Sequence, residues 1–225
     1  MVLDTSKFIQ TVNSSTPLPS TVCSYFSFNS LTQLPPANYV DIFTLSSSSP
    51  YLTFHSSRSI VPPSIRSRHT FRGDTLFLSP SLRALFTTTR GSTPATQGWI
   101  SVFALDEDGL FASDDGERHQ TPTSGGKAHA IDLLPKLSSN DSTLRPYDVD
   151  SVFRQRPLRP TAGDDAVWIL LTDDDESTLV NGGGVRVLEW NGWGTGGFNE
   201  VAKWPSPSLM AEEQTMLGGS HAVWL

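Results

Sequence analysis

Cysteine is nearly missing from this chain: Cys23 stands alone among 225 residues. One thiol excludes an intrachain disulfide framework and any thiolate metal cluster. Long apolar runs are missing too. None approaches the roughly 20 residues that a membrane-spanning helix needs, so no membrane partner is expected. The opening MVLDTSKFIQ has no cationic start followed by an apolar stretch, which argues against a secretory leader and for a cytoplasmic protein. Positive charge is sparse, with 16 Lys and Arg against 23 Asp and Glu and a net charge of -7. Binding a phosphate backbone takes a basic surface, so no nucleic acid partner is expected. No long window shows the 3.6-residue helical period either, and the chain reads as almost wholly β.

The positive signal is a repeat. One copy runs TLFLSP at 75–80, ALFTTTR at 84–90 and GWISVFALD at 98–106. The other runs AHAIDLL at 128–134, AVWILLTD at 166–173 and GVRVLEWN at 184–191. Each is a short apolar strand, a second apolar strand ending in polar residues, and a third alternating strand. DEDG at 106–109 and NG at 191–192 supply turns at matching places. Units of this kind bury both faces only by stacking on further sheets.

Around the repeat the chain divides into two segments. Residues 1–36 are rich in Ser, Thr and Pro, carry only Asp4 and Lys7 as charges, and are expected to be a poorly ordered extension. Residues 37–225 hold the sheets. YVDIFTL at 39–45 and YLTFH at 51–55 flank SSSSP and read as a hairpin, after which Pro62 and Pro63 leave the sheet. Residues 135–165 form an insertion between repeat strands and read as a long surface loop bearing Arg145, Arg154, Arg156 and Arg159. The tail, HAVWL at 221–225, reads as a last short strand. Repeated four-stranded units suit a partial β-propeller better than a plain sandwich. Only about two and a half to three blades can be counted, whereas closed propellers typically have about 4–8. Open blade edges leave room for a homo-oligomer.

Several short motifs occur in one order: SIVPP at 59–63, FRGD at 71–74, TTTRG at 87–91, GWISVFAL at 98–105, TPTSGG at 121–126, LTDD at 171–174, VRVLEW at 185–190 and HAVW at 221–224. Together they resemble the C-terminal part of the fungal 3-carboxy-cis,cis-muconate lactonizing enzymes (carboxymuconate cyclases). These are seven-bladed propellers of the lactonase type. The resemblance implies an intramolecular lactonisation in protocatechuate catabolism, a small-molecule carboxylate substrate, and no cofactor or metal. It also implies a truncated member, because the family's acid/base histidine, a second arginine and a glutamate lie in blades with no counterpart here. That weighs against activity of the chain alone. The rival readings are a sugar-lactone hydrolase such as 6-phosphogluconolactonase, and a noncatalytic partial propeller that binds a partner or itself.

Lactonisation adds a carboxylate oxygen across a double bond and delivers a proton to carbon, so the site needs fixed cations and a general acid. Arg90 ends an apolar strand just before Gly91, and by resemblance it is the catalytic arginine; the alternative is an ion pair with Asp74 or Asp106. Arg72 faces the same way as Asp74 in an extended chain and either pairs with it or binds substrate. Thr123 and Ser124, ahead of Gly125 and Gly126, offer hydroxyls and backbone N–H groups as an anion nest or form an ordinary turn. His129 and His221 each precede Ala on a repeat strand, where they serve as channel-facing hydrogen bonders or as core histidines. The acidic run 173–176 lacks the spacing of a calcium loop and reads as a solvated turn.

Overall fold

The computed structural model describes residues 10–11, 21–25, 38–45, 52–126, 129–136, 165–174, 184–204 and 221–224. Its strands form three four-stranded antiparallel sheets, none closed on itself. The first holds β1 (Gln10–Thr11), β2 (Thr21–Tyr25), β3 (Tyr39–Leu45) and β4 (Leu52–Ser59). The second holds β5 (Phe71–Leu78), β6 (Ala84–Gly91), β7 (Trp99–Ala104) and β8 (Glu117–Gln120). The third holds β9 (Ile131–Pro135), β10 (Val167–Asp173), β11 (Gly184–Trp190) and β12 (Phe198–Trp204). Within each sheet the strands lie in chain order, the simplest meander.

Alternation along the strands decides how the sheets meet. On β6, Ala84 and Phe86 point one way and Leu85 the other, and all are fully buried. Leu85 joins Val40, Ile42, Ile60, Phe103 and Leu105 in a core between the first and second sheets. Ala84 and Phe86 join Ile100, Val102, Ile169, Leu171, Leu188 and Trp190 in a larger core between the second and third. The second sheet is therefore covered on both faces. Trp190 anchors the larger core, meeting Phe86 edge to face at 5.3 Å and donating its Nε1–H to Glu117 at 2.7 Å. The inner strands β5 and β9 run alongside each other. This stack is all-β and consistent with part of a β-propeller.

Four details differ from the sequence expectation. The segment 1–36, expected to be irregular, contributes β1 and β2, whose backbone groups pair through β2 with β3; its other residues lie outside the described ones. Each repeat has a fourth, outer strand, β8 and β12, whose charged composition hid it from a search for apolar runs. The 221–224 tail is irregular rather than a strand, and its Trp224 backbone N–H donates to the Asp132 carboxylate at 3.0 Å rather than to a strand carbonyl. Arg72 and Asp74 form no ion pair: β5 bulges between Gly73 and Leu76, and Asp74 turns to accept the backbone N–H of His129. Most of the 135–165 insertion lies outside the described residues.

Candidate functional site

The polar cluster of the molecule sits where the ends of β5, β6, β10 and β11 meet the turn before β9. Its frame is the threonine run Thr87–Thr88–Thr89 on β6, in which all three residues are fully buried. Buried hydroxyls need partners, and each has one. Thr87 donates to the Ser101 carbonyl at 3.5 Å, Thr88 to the His129 carbonyl at 2.6 Å, and Thr89 Oγ1 accepts from Trp99 N–H at 3.1 Å. Threonine thus satisfies the strand's β-branched preference and sews it to its neighbours.

The 121–126 turn is stitched onto the end of β6. Gly91 N–H donates to the Ser124 carbonyl and Gly98 N–H to the Thr123 carbonyl, both at 2.9 Å. Gly125 (φ +83°) and Gly126 (φ +57°) occupy the left-handed region that glycine tolerates best. At Gly125 a side chain is also excluded by space, since a Cβ there would lie 2.6 Å from the His129 ring. The turn's hydroxyls are tied into the protein. Thr123 donates to Asp173, Gly125 N–H reaches Thr123 Oγ1 at 3.3 Å, and Gly126 N–H reaches Ser124 Oγ at 3.2 Å. Both Thr123 and Ser124 are buried.

His129 is fully buried under this turn. Its Nδ1 lies 3.1 Å from the Thr89 carbonyl. A carbonyl only accepts, so Nδ1 carries the proton and Nε2 keeps its lone pair. Nε2 is buried without a hydrogen-bond partner among the described residues. Burial pushes the His129 pKa below 6.5, against the pull of Asp173, the Thr89 carbonyl and Asp74, with Arg186 adding to the fall. The ring is therefore neutral, with its only N–H committed to a backbone carbonyl, and it does not supply a proton. His221 is different: it is exposed. The matched His-Ala pairs of the two repeats do not share an environment.

Arg90 and Arg72 stand directly opposite each other in the β5–β6 register, so their side chains leave the same face. Arg90 is half-buried, with Nη1 at 3.5 Å from the Gly126 carbonyl. Arg72 is exposed. Two like charges directly across a ladder repel each other. Of the predicted site residues, the structure therefore brings together Arg72, Arg90, Thr123, Ser124 and His129 at one end of the second sheet, while His221 belongs to the separate 221–224 segment, whose Trp224 N–H donates to Asp132 on β9.

Two buried charges were missed. Asp173 was read as part of a solvated turn, yet it is 1% exposed, because β10 runs on through it and directs it at Thr123; Asp174 is half-buried, and 175–176 lie outside the described residues. Arg186 is 4% exposed and meets Glu200 at 2.7 Å. The available signal was its place in the alternation of β11, on the same face as Leu188 and Trp190. A charge on the apolar face of a strand asks for a buried partner.

No established protein-family profile matches the chain. A curated relative does: the chain is 36% identical over 105 residues to a protein named muconate cycloisomerase 1 from Cutaneotrichosporon cutaneum. The match spans 46% of this chain and 28% of that protein. No helix among the described residues is long and apolar enough to cross a membrane.

Proposed function

We propose that this chain is part of a lactonase-type β-propeller acting in muconate conversion, and that its Arg90 end holds the carboxylates of a muconate during lactonisation. The observation that carries this reading is the cross-strand pairing of Arg72 with Arg90. Guanidinium groups stay charged and bind carboxylate in a two-pronged geometry, and two of them on one face of a sheet suit a ligand with more than one carboxylate. The match to a protein named for muconate cycloisomerisation supports the same substrate class.

In this reading Arg90 fixes the attacking carboxylate and offsets charge developing on the substrate, and Arg72 holds a second carboxylate at the solvent side. Thr123, Ser124 and His129 are positioning residues, because their polar atoms are turned onto the protein and they set where Arg90 stands. The general acid comes from elsewhere, since His129 is neutral with its proton engaged. The chemistry calls for no cofactor. Loss of diene absorbance on adding protein to cis,cis-muconate and its 3-carboxy derivative tests the reaction, with 6-phosphogluconolactone hydrolysis as the competing activity. Turnover of a muconate, abolished in Arg90→Gln, supports the proposal. Hydrolysis of the sugar lactone alone overturns it.

A further inference from the structure

Two buried charged side chains take no part in the proposed chemistry, and both face the polar seam from the third sheet. Leu171 on β10 lies in the core shared with the second sheet, so Asp173, two residues on, leaves the same face. The β10–β11 register sets Gly184 opposite Asp173 and Arg186 opposite Leu171. Glycine presents no side chain there, which leaves Asp173 its space, and Arg186 is its diagonal neighbour on that face. A charge is costly to bury unless partners meet it. Arg186 meets Glu200 on β12 at 2.7 Å, and Asp173 accepts the hydroxyl of Thr123.

Thr123 is where the third sheet meets the turn that frames Arg90. Its carbonyl accepts the Gly98 N–H at 2.9 Å and the Thr121 hydroxyl at 2.9 Å, which ties it to the residues just ahead of β7. The carbonyl of its neighbour Ser124 accepts the Gly91 N–H at 2.9 Å, one residue beyond Arg90. Gly126 closes the turn, with its carbonyl 3.5 Å from Arg90 Nη1. The turn is thus gripped from two sides, by backbone bonds from the second sheet and by a side-chain bond from the third. The charges on the third sheet also reach the ring beneath the turn. Burial is the main cause of the depressed His129 pKa, Asp173 is the strongest opposing influence, and Arg186 acts with burial.

We propose that Asp173 is a positioning residue for Arg90: through Thr123 it holds the 121–126 turn against the end of β6 and so fixes where the Arg90 guanidinium stands. The inference rests on the reading of Arg90 as the carboxylate-binding residue, and it adds to that site a residue from a different sheet. Asp173 touches no substrate in this role. Its carboxylate serves as an acceptor of fixed position, because β10 is a central strand paired with both β9 and β11. A hydrogen bond from the turn to such a strand gives a loop the placement of a sheet.

Two readouts on the whole chain test it: the Arg90 Nε–H resonance in protein carrying isotope-labelled arginine, and calorimetric titration with 3-carboxy-cis,cis-muconate. The resonance is identified by its loss in Arg90→Gln. Thr123→Val keeps the shape of the side chain but removes the donor. It is expected to move the Arg90 resonance and to weaken binding about three- to tenfold, as for the loss of one hydrogen bond. Thr123→Ser restores the donor and is expected to match the wild type in both readouts. Asp173→Ala is expected to act like Thr123→Val, and if it does not fold the two threonine variants decide. An Arg90 resonance unmoved by Thr123→Val overturns the proposal, even where urea unfolding shows lost stability, since a merely structural bond would give that result. So does unweakened binding in that variant, or a Thr123→Ser that behaves like Thr123→Val. A wild type that binds no muconate contradicts the proposed reaction instead, and the Arg90 resonance then decides this inference alone.

Discussion

Gly125 concentrates the demands of the site in one residue. It holds a φ of +83° and leaves no room for a Cβ over the His129 ring. Gly125→Ala therefore combines backbone strain of about 1–3 kcal/mol with displacement of the turn. Urea unfolding is expected to show a loss at least that large, whereas an alanine at exposed Gly194, with open space around its Cβ, is expected to cost only the backbone term. His129 makes a second prediction, in pH. Its folded-state pKa lies below 6.5, so on acidification the unfolded chain takes up the proton first. Stability is full above 6.5 and falls below it until the folded-state pKa is reached, at up to about 1.4 kcal/mol per pH unit for one proton. His119, also depressed by burial, adds a contribution of the same sign. His129→Gln is expected to flatten the dependence to what His119 alone provides. An unchanged slope in that variant would show that His129 is not buried neutral.

At the scale of elements, the second sheet is the keystone because both of its faces are covered. Phe86, at the centre of the larger core, is expected to cost about 3–5 kcal/mol when cut to alanine. Trp190→Phe keeps most of the apolar contact but leaves Glu117 without the indole N–H, an expected loss of about 1–3 kcal/mol. Equilibrium unfolding of both variants checks this order. These inner strands were the part most legible in the sequence. TLFLSP, ALFTTTR and AVWILLTD fall on β5, β6 and β10, since buried strands announce themselves as apolar runs. The outer strands β8 and β12 did not, because ERHQ and FNEVAKW are half-exposed and carry the charge that an outer strand needs. The site was legible to the same degree. Arg90 and Thr123 could be placed from strand ends and turn residues. Asp173 and Arg186 could not, because which member of an alternating strand meets a buried partner depends on the facing sheet.

For the whole molecule, the described sheets stack on one another with a polar seam where the ends of β5, β6, β10 and β11 meet. The seam brings Arg72 and Arg90 onto one face, and the central claim is that this face is built for a muconate's carboxylates. Calorimetric titration of 3-carboxy-cis,cis-muconate into the purified chain tests that claim most directly, because binding can be read whether or not the general acid is present. Saturable binding is predicted, weakened about ten- to hundredfold in Arg90→Gln, as expected when charge-assisted bonds are lost. No binding by the wild type, or equal affinity in Arg90→Gln, would contradict the account.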